Sequence, residues 1–214
     1  MKTALIAGST GLVGRNLLSL ILSDERYASV VAVTRKDLGI SHRKLVQVKT
    51  DLSTLAENSS ALKCDDVFCC LGTTMAKAGS KEKFREADFD YPARLGSLTK
   101  SQGASKYFLV SALGADAASS IFYNKVKGET EAAIREIGFP SLHIFRPSLL
   151  LGERNESRPG EEAAKVFFRL FGFLVPSKYK GIRALTVAKA MVHFAHDDRE
   201  GVFVHESKEM QKFQ

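Results

Sequence analysis

The feature that most constrains this chain lies at its start. The apolar run 3–7 stops at Gly8, and Gly11 and Gly14 follow at equal spacing. Leu12, Leu17, Leu18, Ile21 and Leu22 then recur near the spacing of one helix face. Strand, tight turn and helix in direct succession leave few architectures open. Glycine permits the sharp turn and close backbone approach, while the N-terminus of a helix starting near Leu12 presents unpaired N–H groups and a positive dipole end. Such a turn is a seat for a diphosphate. Its candidate residues are Gly8, Ser9, Thr10, Gly11, Leu12, Val13 and Gly14. Ser9 and Thr10 either add hydroxyl donors or are solvated turn residues. The G-x-x-G-x-x-G spacing differs from the G-x-G-x-x-G of the best-known dinucleotide turn but relies on the same physics.

The remainder alternates in the same way. β-type runs fall at 30–33, 45–48, 66–71, 107–110, 142–145 and, more weakly, 201–205; helical patterns fall at 81–100, 120–137, 161–171 and 187–196. Strands joined by helical crossovers predict an α/β fold with a parallel sheet covered on both faces, and ligands in such sheets collect at the carboxyl ends of the strands. With 214 residues, 44% of them apolar, and no linker or repeat, the chain reads as one domain. Residues 1–150 or so form its core. The stretch from about 151 to 214, where the pattern loosens after Pro147, is a short substrate-side region.

Composition removes several classes. The opening apolar run reads as a strand rather than a secretory leader, and nothing later is long enough to span a bilayer. Cys64, Cys69 and Cys70 are odd in number and lack metal-ligand partners, which suits reduced thiols in the cytoplasm. The net charge of +7 is spread among carboxylates without basic arms, so a nucleic-acid partner is not expected. His143, His193 and His196 have no ligand partners at metal spacing and read as structural, so no metal is expected.

Arg35 follows the glycine turn by roughly twenty residues, where a site built for NAD holds an acid for the ribose hydroxyl. An acid repels a 2′-phosphate, whereas Arg35 with Lys36 beside it can grip one, so NADP(H) is favoured over NAD(H). Asp51 ends the next strand and is either an acceptor for the adenine amino group or a cap. Tyr123 and Lys127 share a helix face. A neighbouring ammonium favours the phenolate and so makes the phenol a usable acid–base group. Ser111, at a strand end, is placed to hold the same substrate oxygen.

Through the glycine turn, Ser111 and the Tyr123/Lys127 pair, the chain resembles the short-chain dehydrogenase/reductase superfamily. The blocks 68–74, 78–80, 110–115, 126–129, 145–152 and 153–161 are similar to its atypical branch, the Tat-interacting-protein oxidoreductases and their bacterial relatives. The resemblance implies a Rossmann-type, doubly wound sheet binding NADP(H), with Ser111, Tyr123 and Lys127 catalytic. It further implies that Cys70, Leu71 and Gly72 line the cofactor and that Pro147 and Ser148 approach its nicotinamide end. Asp88 stands where many extended members carry asparagine.

Arg154 and Arg158 would flank the predicted mouth and receive an anionic substrate, or are solvated loop charges. The run Phe167, Phe168, Phe171 and Phe173 reads as a core face whose exposed part is a candidate surface for a homodimer, a protein partner or a hydrophobic substrate. The expectation is an NADP(H)-dependent oxidoreductase acting on a small-molecule carbonyl or alcohol. Its rivals are a non-catalytic NADP(H)-binding regulatory protein and a nucleotide-sugar epimerase.

Overall fold

The structure, a computed structural model, describes residues 1–152 and 180–214. Seven strands form one wholly parallel sheet: β1 (Lys2–Ala7), β2 (Tyr27–Thr34), β3 (Leu45–Lys49), β4 (Asp66–Cys69), β5 (Lys106–Val110), β6 (Ser141–Arg146) and β9 (Gly201–Glu206). Their order is β3-β2-β1-β4-β5-β6-β9. A two-residue pair, β7 (Leu150–Leu151) with β8 (Ile182–Arg183), stands apart from it. The predicted parallel, doubly covered sheet is therefore present.

Alternation along β1 shows how both faces are sealed. Ala4 and Ile6 join α1 (Leu12–Ser23) and α6 (Ala184–Ala195) in one core, through Leu17, Ile21, Val187 and Met191. Leu5 and Ala7 join α4 (Tyr91–Ser101) and α5 (Phe122–Ile137) in the other, through Leu95 and Ile134. Successive side chains of a strand point to opposite faces, so one apolar run feeds two cores.

The helical pattern over 81–100 resolves into α3 (Lys81–Arg85) and α4 joined by a π-helical turn, Glu86–Asp90, with the short α2 (Met75–Ala78) before them. Periodicity predicts one continuous helix there because inserting one residue leaves the apolar spacing on either side intact. The predicted helix at 161–171 lies outside the described residues. Among these, no helix is long and apolar enough to cross a membrane, and no cluster of metal-ligating side chains occurs.

His143 is buried with His205 beneath α6. Its Nδ1 lies 2.9 Å from His205 Nε2, its Nε2 3.1 Å from Ser141 Oγ, and its ring stacks on Phe108 and Phe203. Burial, then the neighbouring His205, lower the His143 pKa to about 4, with Lys106 and Arg199 adding to the fall and Asp197 opposing it. Burial lowers His205 as well, against the pull of Glu209 and Asp197. Both imidazoles are therefore folded in neutral. The stability this confers is complete above the ordinary histidine value near 6.5 and is lost as pH falls from there toward 4. Between pH 7 and 5, thermal unfolding should show a loss of about 2 kcal/mol, or roughly 4–8 °C in Tm. A folded His143→Gln/His205→Gln chain should lose much less; equal losses would refute the assignment.

Candidate functional site

The strand order reverses between β1 and β4, so the loops that follow them part above the sheet and leave a crevice at its carboxyl edge. Gly8 turns the chain out of β1 with φ of +84°, and a Cβ there would lie 2.5 Å from the Cys70 carbonyl oxygen. A Cβ on Gly14 would lie 2.1 Å from the Gly8 carbonyl oxygen. Gly11 N–H donates to that oxygen at 3.0 Å and closes the turn. The turn is therefore packed backbone on backbone, with glycine required at both ends. Gly11 caps α1 without a side-chain bond, no acid stands in the first helical turn, and the buried Ser9 Oγ has no partner among the described residues. Free N–H groups, a positive helix end and an orphaned hydroxyl suit a diphosphate. Leu12 and Val13 continue the seat into α1.

Arg35 and Lys36 leave β2 at its carboxyl end with exposed side chains. Asp51 caps the following 3₁₀ run, its Oδ1 accepting from Ser53 N–H at 3.1 Å. Tyr91, at the start of α4, lies within the fields of Asp51 and Arg35. Burial, then a bond to Glu86, push its phenol up to about 12, with Asp51 adding and Arg35 opposing. The ends of β2 and β3 and the start of α4 thus gather beside the glycine turn, where the adenosine end of a dinucleotide would lie.

On the far side of β4, α5 brings Tyr123 and Lys127 to one face, while Lys125 points to solvent. The Tyr123 ring packs on Phe84, centroids 5.5 Å apart, and α3 is tied to α5 by a bond from Arg85 to Glu129. Lys127 is buried, with its Nζ 2.7 Å from Asp88 Oδ1. Burial disfavours its ammonium, but Asp88 first and Tyr123 next outweigh that, so its pKa stands above the ordinary lysine value. A Cβ on Gly72 would lie 3.2 Å from Asp88 Oδ1 and 3.5 Å from Lys127 Nζ, so the loop Cys70–Leu71–Gly72 borders both the glycine turn and this ion pair.

Ser111 closes β5 as expected, but its hydroxyl donates to Glu131 Oε1 at 2.5 Å. Glu131 is a further turn along α5 from Lys127 and is itself buried, bound by Arg146 Nη2 at 2.6 Å and Nε at 3.0 Å. The sequence reading missed this network. A glutamate four residues beyond Lys127, and so on the same helix face, was its one available signal. Pro147 accepts from Leu113 N–H at 2.9 Å, and Ser148 Oγ lies 2.9 Å from Ser207 Oγ, joining the ends of β6 and β9 above the same edge. Arg154, Arg158 and the run Phe167, Phe168, Phe171 and Phe173 lie outside the described residues. Burial pushes the Cys64 thiol up to about 12 and raises Cys69. Inert free thiols of this kind are structural.

The fold and the glycine seat define a Rossmann-type protein of the kind that holds a dinucleotide across the carboxyl edge of its sheet. Residues 4–136 match the family described as NAD dependent epimerase/dehydratase, and the chain belongs to that family, a branch of the short-chain dehydrogenase/reductase superfamily. It is 38% identical to protein HTATIP2 of Rattus norvegicus over 198 residues, 90% of this chain and 80% of that one. It is 35% identical to the mitochondrial protein FMP52 of Candida albicans over 203 residues, 92% and 89% of the two chains. Among solved structures, the fold is shared with the Bordetella bronchiseptica enzyme WbmH in complex with NAD+ (TM-score 0.72, 17% identity, 97% of this chain and 76% of that one). It is shared equally with a UDP-N-acetylglucosamine 4-epimerase from Methanobrevibacter ruminantium (TM-score 0.73, 16% identity, 96% and 76%).

Proposed function

We propose that this protein is an NADP(H)-dependent oxidoreductase acting on a small-molecule carbonyl or alcohol. The observation that carries the reading is the placement of Tyr123 beside a buried, charged Lys127, across β4 from a backbone-lined glycine turn with an orphaned hydroxyl. The residues fit the cofactor. Gly8 to Gly14 would hold its diphosphate, Arg35 and Lys36 its 2′-phosphate, Asp51 its adenine, and Cys70 to Gly72 with Pro147 and Ser148 its nicotinamide half. When bound, the cofactor supplies or accepts the hydride at the substrate carbon.

The chain's own residues handle the proton. In the reducing direction the Tyr123 hydroxyl gives its proton to the substrate oxygen as the C=O double bond becomes C–O–H; in the oxidising direction the phenolate takes it back. Lys127 holds a buried positive charge on the same face of α5. Ser111 gives its one donor to Glu131, which leaves lone pairs to accept from a substrate hydroxyl. The segment after residue 150 supplies the substrate side. The three free cysteines suit a reducing compartment, and we place the protein in the cytoplasm.

Calorimetric titration with NADPH and NADH, followed by an absorbance screen of aldehydes, ketones and quinones at 340 nm, tests the reading. Arg35→Ala should weaken NADPH about tenfold or more, the loss of a charge-assisted contact, and leave NADH nearly unchanged. Equal weakening of the two removes the 2′-phosphate assignment. Tight binding without turnover across the panel would instead favour a regulatory cofactor-binding protein.

A further inference from the structure

Asp88 is a buried carboxylate that the chemistry above does not use, and the fold goes to some length to deliver it. The π-helical turn between α3 and α4 places it with 1% of its surface exposed. π-turns reorient a side chain locally without ending a helix and are frequent at functional sites. Three contacts from two elements converge on this residue. Thr73 N–H, from the loop after β4, donates to Oδ2 at 2.8 Å; Lys127 Nζ, from α5, meets Oδ1 at 2.7 Å; and Thr130 Oγ donates to the Asp88 carbonyl at 2.7 Å. At Gly72 a side chain would press on Asp88 Oδ1 and touch Lys127 Nζ.

We propose that Asp88 is the positioning residue of the site: its carboxylate, and not merely its shape, holds the Lys127 ammonium against the loop that follows β4. Asparagine, which stands at this place in many extended members of the superfamily, has one oxygen where Asp88 has two: it can accept from Thr73 N–H or from Lys127 but not from both, and it carries no charge. The groups facing Lys127 are Asp88 from the turn, Tyr123 from its own helix and Cys69 from β4. Of these Asp88 alone is a carboxylate. Without it, only Tyr123 and Cys69 stand against the burial of a lysine with almost no exposed surface, and the balance shifts toward the neutral amine. Lys127 therefore meets a ligand already oriented and charged because of Asp88.

That claim is separable from the proposed function, on which only its cofactor arm rests. In lysine labelled with ¹⁵N, the Lys127 Nζ resonance, assigned with Lys127→Ala, should titrate above the other lysines of the unaltered protein. In Asp88→Asn it should titrate below them, and NADPH affinity should then fall about tenfold between pH 7 and 9 while the parent stays flat. A Lys127 that titrates with or below the other lysines in the parent overturns the proposal, and that measurement holds even if Asp88→Asn fails to fold. A folded Asp88→Asn with the parental Lys127 titration also overturns it. If the parent binds neither nicotinamide cofactor, the functional reading falls while the two lysine titrations still decide the role of Asp88.

Discussion

Gly14→Ala should raise the Kd for a nicotinamide cofactor by about 100-fold or more, equivalent to roughly 2.7 kcal/mol, and lower stability by about 2–3 kcal/mol. The added Cβ would stand 2.1 Å from the Gly8 carbonyl oxygen, 2.8 Å from its carbon and 3.0 Å from Ser9 Cα, all of them backbone. No rotamer change relieves such a contact, so the turn must open. Gly8 has no room to retreat, because its own Cβ position already lies 2.5 Å from the Cys70 carbonyl. The strain therefore passes into the loop after β4, and both halves of the dinucleotide seat move. Gly11→Ala is the matched control, since its Cβ would meet a single atom, the Gly8 oxygen, at 3.3 Å. Titration calorimetry and thermal unfolding on the two variants check this. Retention of parental affinity by Gly14→Ala would mean that the turn is not where the diphosphate lies.

Tyr123→Phe should lower kcat/KM on any substrate found by roughly 10²–10⁴-fold, the usual contribution of a positioned acid–base group. Cofactor affinity and Tm should remain close to parental values. The separation is structural: the ring packs on Phe84 and is retained, whereas the hydroxyl alone is removed. Single-turnover oxidation of bound NADPH, followed at 340 nm, isolates the step. Turnover within about fivefold of the parent would leave proton transfer to some other group and remove Tyr123 from the mechanism.

Much of this architecture is legible in local pattern. The apolar run ending at Gly8, the Leu12–Leu22 spacing and the β-branched run before Arg35 each report an element from residues that are neighbours in sequence, and the structure has those elements in those places. The Tyr123/Lys127 pair is legible for the same reason, because helical spacing alone puts four-apart residues on one face. The segment 81–101 was less transparent. An inserted residue in a helix leaves the periodicity on each side correct, so neither the π-turn nor the direction of Asp88 has a local signature.

Ser111 shows the same boundary from another side. Its place at the end of β5 follows from the strand run, but the partner of its hydroxyl is Glu131, selected by how α5 packs across the sheet and by Arg146 from β6. The amino-acid sequence by itself determined the alternating elements, the glycine turn and the placing of Tyr123 and Lys127 on one helix face, since all of these arise from contacts a few residues apart. Only the tertiary structure decided that Asp88 grips Lys127, that Ser111 turns to Glu131 and that Gly8 abuts Cys70. Those meetings depend on strand register and helix rotation, which are set by the packing of residues distant along the chain.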